Sequence, residues 1–152
     1  MGFSTGIPKS FIGLICELRE TPMPIKYWIE KNNRRIRAVV SGNITADETF
    51  RAIKESTEDP DFEPGFDVLS DHTSIGEPLT TQQATEMSSY LKKLSGVMTH
   101  SRWAVITKNP ASYGMMRMLS VFLEEVPMKL EVFGNMEEAE TWLSQPKASK
   151  MK

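Results

Sequence analysis

The sequence predicts an α/β fold: a mixed five-stranded sheet in which an antiparallel N-terminal hairpin joins parallel βαβ crossovers, with four helices packed against it. Three observations predict it. Two strand-like runs come first, three repeats of helix followed by strand come next, and a short helix closes the pattern at Met136-Glu137-Glu138-Ala139-Glu140-Thr141-Trp142-Leu143. Helices alternating with short apolar strands call for parallel strands joined by right-handed crossovers.

The elements follow in order. Ile25-Lys26-Tyr27-Trp28-Ile29-Glu30 and Ile36-Arg37-Ala38-Val39-Val40-Ser41-Gly42 are strands, with Lys31-Asn32-Asn33-Arg34 as hairpin turn. The basic cluster Lys31 to Arg35 is expected to be a solvated part of that turn. Thr45-Ala46-Asp47-Glu48 forms a capping box, in which the Thr45 hydroxyl accepts an amide proton while Glu48 reaches back. Its helix places Phe50, Ile53 and Ala46 on one face and stops at Asp59-Pro60. Phe66-Asp67-Val68-Leu69-Ser70-Asp71 is a third strand, followed by a loop from His72 to Leu79. Thr80-Thr81-Gln82-Gln83 opens a second helix, with Ala84, Met87, Tyr90, Leu91, Leu94 and Met98 at helical spacing. Ser101 to Thr107 is a nearly continuous apolar run of the kind buried central strands show. Asn109-Pro110 caps a third helix running to about Val126. Met128-Lys129-Leu130-Glu131-Val132-Phe133 alternates as a strand exposed on one face, and Asn135 with Glu138 caps the last helix, which buries Ala139, Trp142 and Leu143.

With 152 residues, 39% hydrophobic and 25% charged, the chain suits one domain with its own core. A net charge of −2 gives no electrostatic footprint for nucleic acid. No stretch reaches the roughly 18 apolar residues of a membrane-spanning helix. The lone Cys16 excludes an internal disulfide and points to a reducing compartment. Phe11-Ile12-Gly13-Leu14-Ile15-Cys16, after Lys9, is short for a signal-peptide core and no clean cleavage site follows. Residues 1–22 are therefore expected to be a poorly ordered extension, 23–145 the domain and 146–152 a flexible tail.

No arrangement of residues specifies a reaction. The densest polar cluster is Asp71, His72, Thr73 and Ser74, just past a parallel strand's C-terminal end, where open α/β sheets hold ligands. A hydrolase would need Ser or Thr bonded to His with an acid orienting the imidazole, a geometry that adjacent residues on a short loop rarely reach. Asp71 and Thr73 equally suit turn capping. His100 has no partner at metal-ligand spacing and is expected to be structural; Gly134 is an isolated turn residue, and no phosphate cradle or cofactor motif occurs.

The third helix is the other anomaly. Tyr113, Met115, Met116, Met118, Leu119, Val121, Phe122 and Leu123 cover more than the roughly 100° that one-sided burial needs. Three covers would account for the excess: a neighbouring helix, a second subunit in a homodimer, or an apolar ligand. Methionine faces adapt to each. Arg117, near the start of this helix, could meet an acidic partner or stand in solvent. Tyr113, Met116 and Arg117 thus join the four loop residues as candidates for ligand or partner contact.

The order of elements and several residues resemble the SpoIIAA-like family of the STAS and CRAL-TRIO group. The resemblance lies in the hairpin closing at Val40-Ser41-Gly42, the strand Val68-Leu69-Ser70-Asp71, and the helix start Tyr113-Gly114-Met115-Met116-Arg117-Met118. It is closest at Val132-Phe133-Gly134-Asn135 through Glu138-Ala139 to Trp142-Leu143. It implies a small bacterial cytoplasmic regulatory or ligand-binding domain. Signalling STAS proteins carry an Asp-Ser-Ser-Gly-like turn whose serine is phosphorylated at a helix start. Here that stretch is Asp71-His72-Thr73-Ser74-Ile75-Gly76, and Pro78 intervenes before the cap at Thr80. The expectation is a non-enzymatic regulatory or protein-interaction module without cofactor. A carrier or sensor of a small apolar, lipid-like ligand is the alternative, requiring a cavity of some hundreds of Å³ beside the third helix; a hydrolase using the loop after the third strand is a further one.

Overall fold

The computed structural model describes residues 24–147. The extension 1–22, its apolar run Phe11 to Cys16, and residues 148–152 lie outside them. Five strands and four α-helices follow one another: β1 (Ile25–Glu30), β2 (Arg35–Gly42), α1 (Ala46–Thr57), β3 (Asp67–Ile75), α2 (Thr81–Lys93), β4 (Ser101–Ile106), α3 (Pro110–Phe122), β5 (Met128–Phe133) and α4 (Met136–Ser144). The sheet order is β1-β2-β3-β4-β5, with β1 antiparallel to β2 and every later pairing parallel. The α/β fold class with a mixed five-stranded sheet is thus as the sequence predicts.

Helix starts are set by side chains that take up the orphan amides of the first turn. Thr45 with Glu48, and Thr80 with Gln83, form complete capping boxes. Asn109 Oδ1 accepts from Ala111 and Ser112 N–H with Pro110 at the first helical position, and Asn135 Oδ1 accepts from Glu138 N–H at 2.8 Å. The hairpin closes through a 3-10 turn at Lys31–Asn33, leaving Arg34 left-handed at φ 53°.

Alternation along β4 divides the core between the two sheet faces. Trp103 and Val105 face α2 and α3 in the larger cluster, which includes Ala84, Met87, Leu91, Met116 and Leu119, with Phe50 and Ile53 of α1 packed against it. Ala104 and Ile106 face the other way, with Leu69, onto Ala139 and Leu143 of α4. All of β4 is buried, as a central strand requires.

Four details differ from the sequence reading. β3 does not stop at Asp71 but runs to Ile75, because Ser74 and Ile75 pair with Ser41 and Gly42 beyond a bulge. α3 ends at Phe122 rather than near Val126; the acidic Glu124-Glu125 would sit unfavourably at a helix C-terminus. Arg35 is not solvated: it is 7% exposed and donates to Glu140 at 2.7 Å, with Glu30 at 3.7 Å. Lys147 donates to the Gly65 carbonyl at 2.8 Å and lies 3.2 Å from Asp67.

Part of the third helix's apolar surplus is covered within the domain. Met116, Leu119 and the following Leu123 are buried, whereas Tyr113 is 41% and Val121 58% exposed.

Candidate functional site

The site begins with the bulge in β3. Val39 of β2 pairs with Asp71, but Ser41 pairs with Ser74, so β3 spends one residue more than β2 over this stretch. Bulges of this kind bend a strand and re-aim its side chains. Asp71 stabilises this one by accepting the Thr73 N–H at 2.9 Å and the Thr73 hydroxyl at 2.7 Å. Asp71 and Thr73 thus bond to each other at a bulge inside the strand, where the sequence predicts a loop.

Ser70 and His72, two residues apart on β3, turn inward together. Ser70 is 3% and His72 6% exposed, and Ser70 Oγ lies 3.1 Å from His72 Nε2. Trp103 of β4 donates its indole N–H to the same Ser70 oxygen at 2.9 Å. His72 Nδ1 is buried and, among the described residues, has no hydrogen-bond partner. Burial lowers the imidazole pKa from 6.5 to about 4, against a smaller opposing pull from the Asp71 charge, so the ring is neutral near pH 7.

This trio stands in the wall of a cavity of about 90 Å³ between the sheet and helices α1 and α2. The strands contribute Ile36, Ala38, Val40 and Val68, and α1 contributes Ala52 and Ile53. Met87 and Leu91 of α2, Met98, and Met116 of α3 close the far side. The hydroxyls of Thr49, Ser56 and Thr57 also line it, but each donates to a carbonyl of α1 or its cap: Thr49 to Thr45, Ser56 and Thr57 to Ile53. Tyr27 lines both the cavity and a shallower groove between β1 and α1. Burial, with Asp59 and Glu55 nearby, raises its phenol pKa.

Of the seven residues singled out from the sequence, the structure brings His72 and Met116 together on this cavity. Thr73, Ser74, Tyr113 and Arg117 are exposed elsewhere, and Asp71 lies between two inward-facing neighbours, turned to the opposite sheet face. Ser70 and Trp103 were missed by sequence reasoning. The available signal was the two-residue spacing of Ser70 and His72, which places both on one face only once His72 belongs to the strand.

Chemically, the Ser70–His72 contact joins a hydroxyl to an imidazole, the first half of a nucleophile–base pair. The second half would be an acid on Nδ1, and among the described residues no partner reaches that atom. A base with a pKa of about 4 is also poorly matched to abstracting a proton near neutrality. The arrangement is suited to holding a small molecule against an apolar wall with one polar handle. Among the described residues no cluster of three His, Cys, Asp or Glu is placed to hold a metal, and no helix is long and apolar enough to cross a membrane.

No family model and no curated protein matches the chain. Among solved structures it is similar to an uncharacterized protein of the DUF3478 family from Shewanella loihica PV-4, at 20% identity and a TM-score of 0.55. The match covers 78% of this chain and 93% of that one. That protein is described as having a SpoIIAA-like fold. Strand order, the antiparallel leading hairpin and this similarity together give the chain a SpoIIAA-like fold.

Proposed function

We propose that the chain is a non-enzymatic binding module that takes a small apolar molecule into the cavity between the sheet and α1 and α2. The observation that carries this reading is that His72, whose buried Nδ1 has no hydrogen-bond partner among the described residues, lines a largely apolar cavity. A buried polar atom without a partner costs about 1–3 kcal/mol, and a ligand that satisfied it would recover part of that. The size argues for a small ligand or a chain tip in place of a whole lipid. An apolar cavity of about 150 Å³ accommodates benzene, so 90 Å³ is smaller than the some hundreds of Å³ a lipid carrier needs. Met87, Met98 and Met116 widen that limit, since thioether side chains repack readily.

A regulatory role follows from the position of the cavity. A ligand larger than the cavity would press α1 and α2 away from the sheet, and α1 packs on the edge strand β1. Ligand occupancy would thereby be registered on the surface around that hairpin.

Backbone amide NMR of the full chain, titrated with small apolar compounds, tests the reading. Shift changes concentrated on Ser70, His72, α1 and α2, and lost in an Ala52→Met variant that fills the cavity, are the expected result. Absence of such changes at millimolar ligand sinks it. Turnover of simple esters by the purified protein, abolished by Ser70→Ala, would sink the non-enzymatic part.

A further inference from the structure

We infer that the ligand of this cavity is a neutral molecule bearing a hydrogen-bond acceptor, such as a small ketone or ester, and that the Nδ1–H of His72 receives its carbonyl oxygen. The inference rests on the binding reading above and adds the chemistry that selects the ligand.

The argument is one of donor accounting. An indole N–H can only donate, so Trp103 occupies one lone pair of Ser70 Oγ. The Ser70 hydroxyl still has a proton to place, and the other atom at hydrogen-bond distance is His72 Nε2, at 3.1 Å. Donation from Ser70 to Nε2 places that proton, whereas an Nε2–H would leave the hydroxyl without an acceptor, so the accounting favours Nε2 as the accepting nitrogen. In a neutral imidazole the proton sits on the other nitrogen, so Nδ1 is a donor, and it is the atom left without a partner. The chain of bonds from Trp103 through Ser70 to His72 therefore favours the Nδ1–H tautomer, and with it a donor as the handle.

The rest of the wall fixes the charge. Among the described residues no Lys, Arg, Asp or Glu lines the cavity, so neither a carboxylate nor an ammonium ligand would find a counter-ion among them, and a bare ion in such surroundings is strongly disfavoured. The helix hydroxyls are already spent on their own carbonyls. Apart from the Tyr27 phenol, which also borders the groove between β1 and α1, one acceptor on an otherwise apolar body is what remains. Because Nδ1 is sealed from solvent, lining side chains must give way on entry; three of them are methionines.

The test uses the full chain labelled with ¹⁵N in its histidine rings. Ring ¹⁵N spectra are expected to show His72 as the Nδ1–H tautomer at pH 7, and the Nδ1 resonance is expected to move on addition of pentan-2-one. Pentane, of similar length but without the oxygen, is expected to bind about tenfold more weakly, and butanoate not to compete. His72→Phe is expected to erase the preference for ketone while leaving pentane binding in place. An Nε2–H tautomer, equal binding of ketone and hydrocarbon, or a preference for butanoate overturns the inference and leaves the apolar-cavity reading standing. Binding of neither ketone nor hydrocarbon overturns that reading as well. Should His72→Phe fail to fold, the tautomer and the ketone-to-pentane ratio in the unaltered chain decide alone.

Discussion

Arg102 Nη2 donates to Asp67 Oδ2 at 2.8 Å, and both side chains are at most 10% exposed. The same guanidinium reaches the last carbonyls of α4, donating to Leu143 at 3.0 Å and Gln145 at 2.7 Å, while the Arg102 amide donates to Asp67 Oδ1 at 2.9 Å. β3, β4 and the C-terminus of α4 are thus locked at one point, and α4 is held on the sheet face it alone covers. Removing Arg102 leaves Asp67 with Lys147, 3.2 Å away, as its remaining cation, so Arg102→Met should cost about 3 kcal/mol in urea unfolding, the low end for a broken buried pair. Replacing both, as Asp67→Leu with Arg102→Met, should cost less than the sum of the single changes.

His72 should make the protein acid-sensitive. Its pKa falls from 6.5 to about 4 in the folded state, so between those values the unfolded chain binds the proton that the native chain refuses. Its contribution is fully present above about pH 6.5 and is lost as pH falls towards 4. The interval corresponds to about 3 kcal/mol. Unfolding free energies measured from pH 7 to 4 should fall more steeply in the unaltered chain than in His72→Phe. Equal slopes would refute the assignment.

Gly76 is a packing position. Its amide donates to the Gly42 carbonyl at 2.9 Å, and the next amide, of Glu77, donates to Asn43 Oδ1 at 2.8 Å. A methyl group at Gly76 would overlap that same Asn43 oxygen. Gly76→Ala should therefore cost about 1–3 kcal/mol, by clash and by loss of the Asn43–Glu77 bond. In an Asn43→Ala background the same substitution should cost little, and thermal unfolding of the four proteins would show the non-additivity.

How much was legible in the sequence depended on the range of the interaction. Thr45, Thr80, Asn109 and Asn135 marked the start of each α-helix among the described residues, because a cap is settled within three residues. The five strands followed from local alternation and apolar runs. The polar run from Asp71 to Ser74 resembled a loop because its strand character comes from pairing with Ser41 and Gly42, across a bulge that no local pattern announces. Trp103 and Ser70 meet across 33 residues, and Arg35 and Glu140 across 105. Neither distance leaves a trace in periodicity. The polar side of the cavity was hidden for the same reason that β3 was cut short: a histidine assigned to a loop has no face to share with a serine.

Ser70 holds two groups at once, and its removal should show it. In Ser70→Ala the Trp103 indole N–H and His72 Nε2 both lose the partner that the structure gives them. Two buried polar groups left unpaired should cost about 2–4 kcal/mol, well above the roughly 1 kcal/mol of a single hydrogen bond. His72→Phe in the same chain removes one of those orphans. A Ser70→Ala/His72→Phe cycle in urea should therefore give a coupling energy of about 1 kcal/mol or more, with the double variant more stable than additivity predicts. Strict additivity would mean that the 3.1 Å contact carries no energy, and the relay that favours the Nδ1–H tautomer would lose its support.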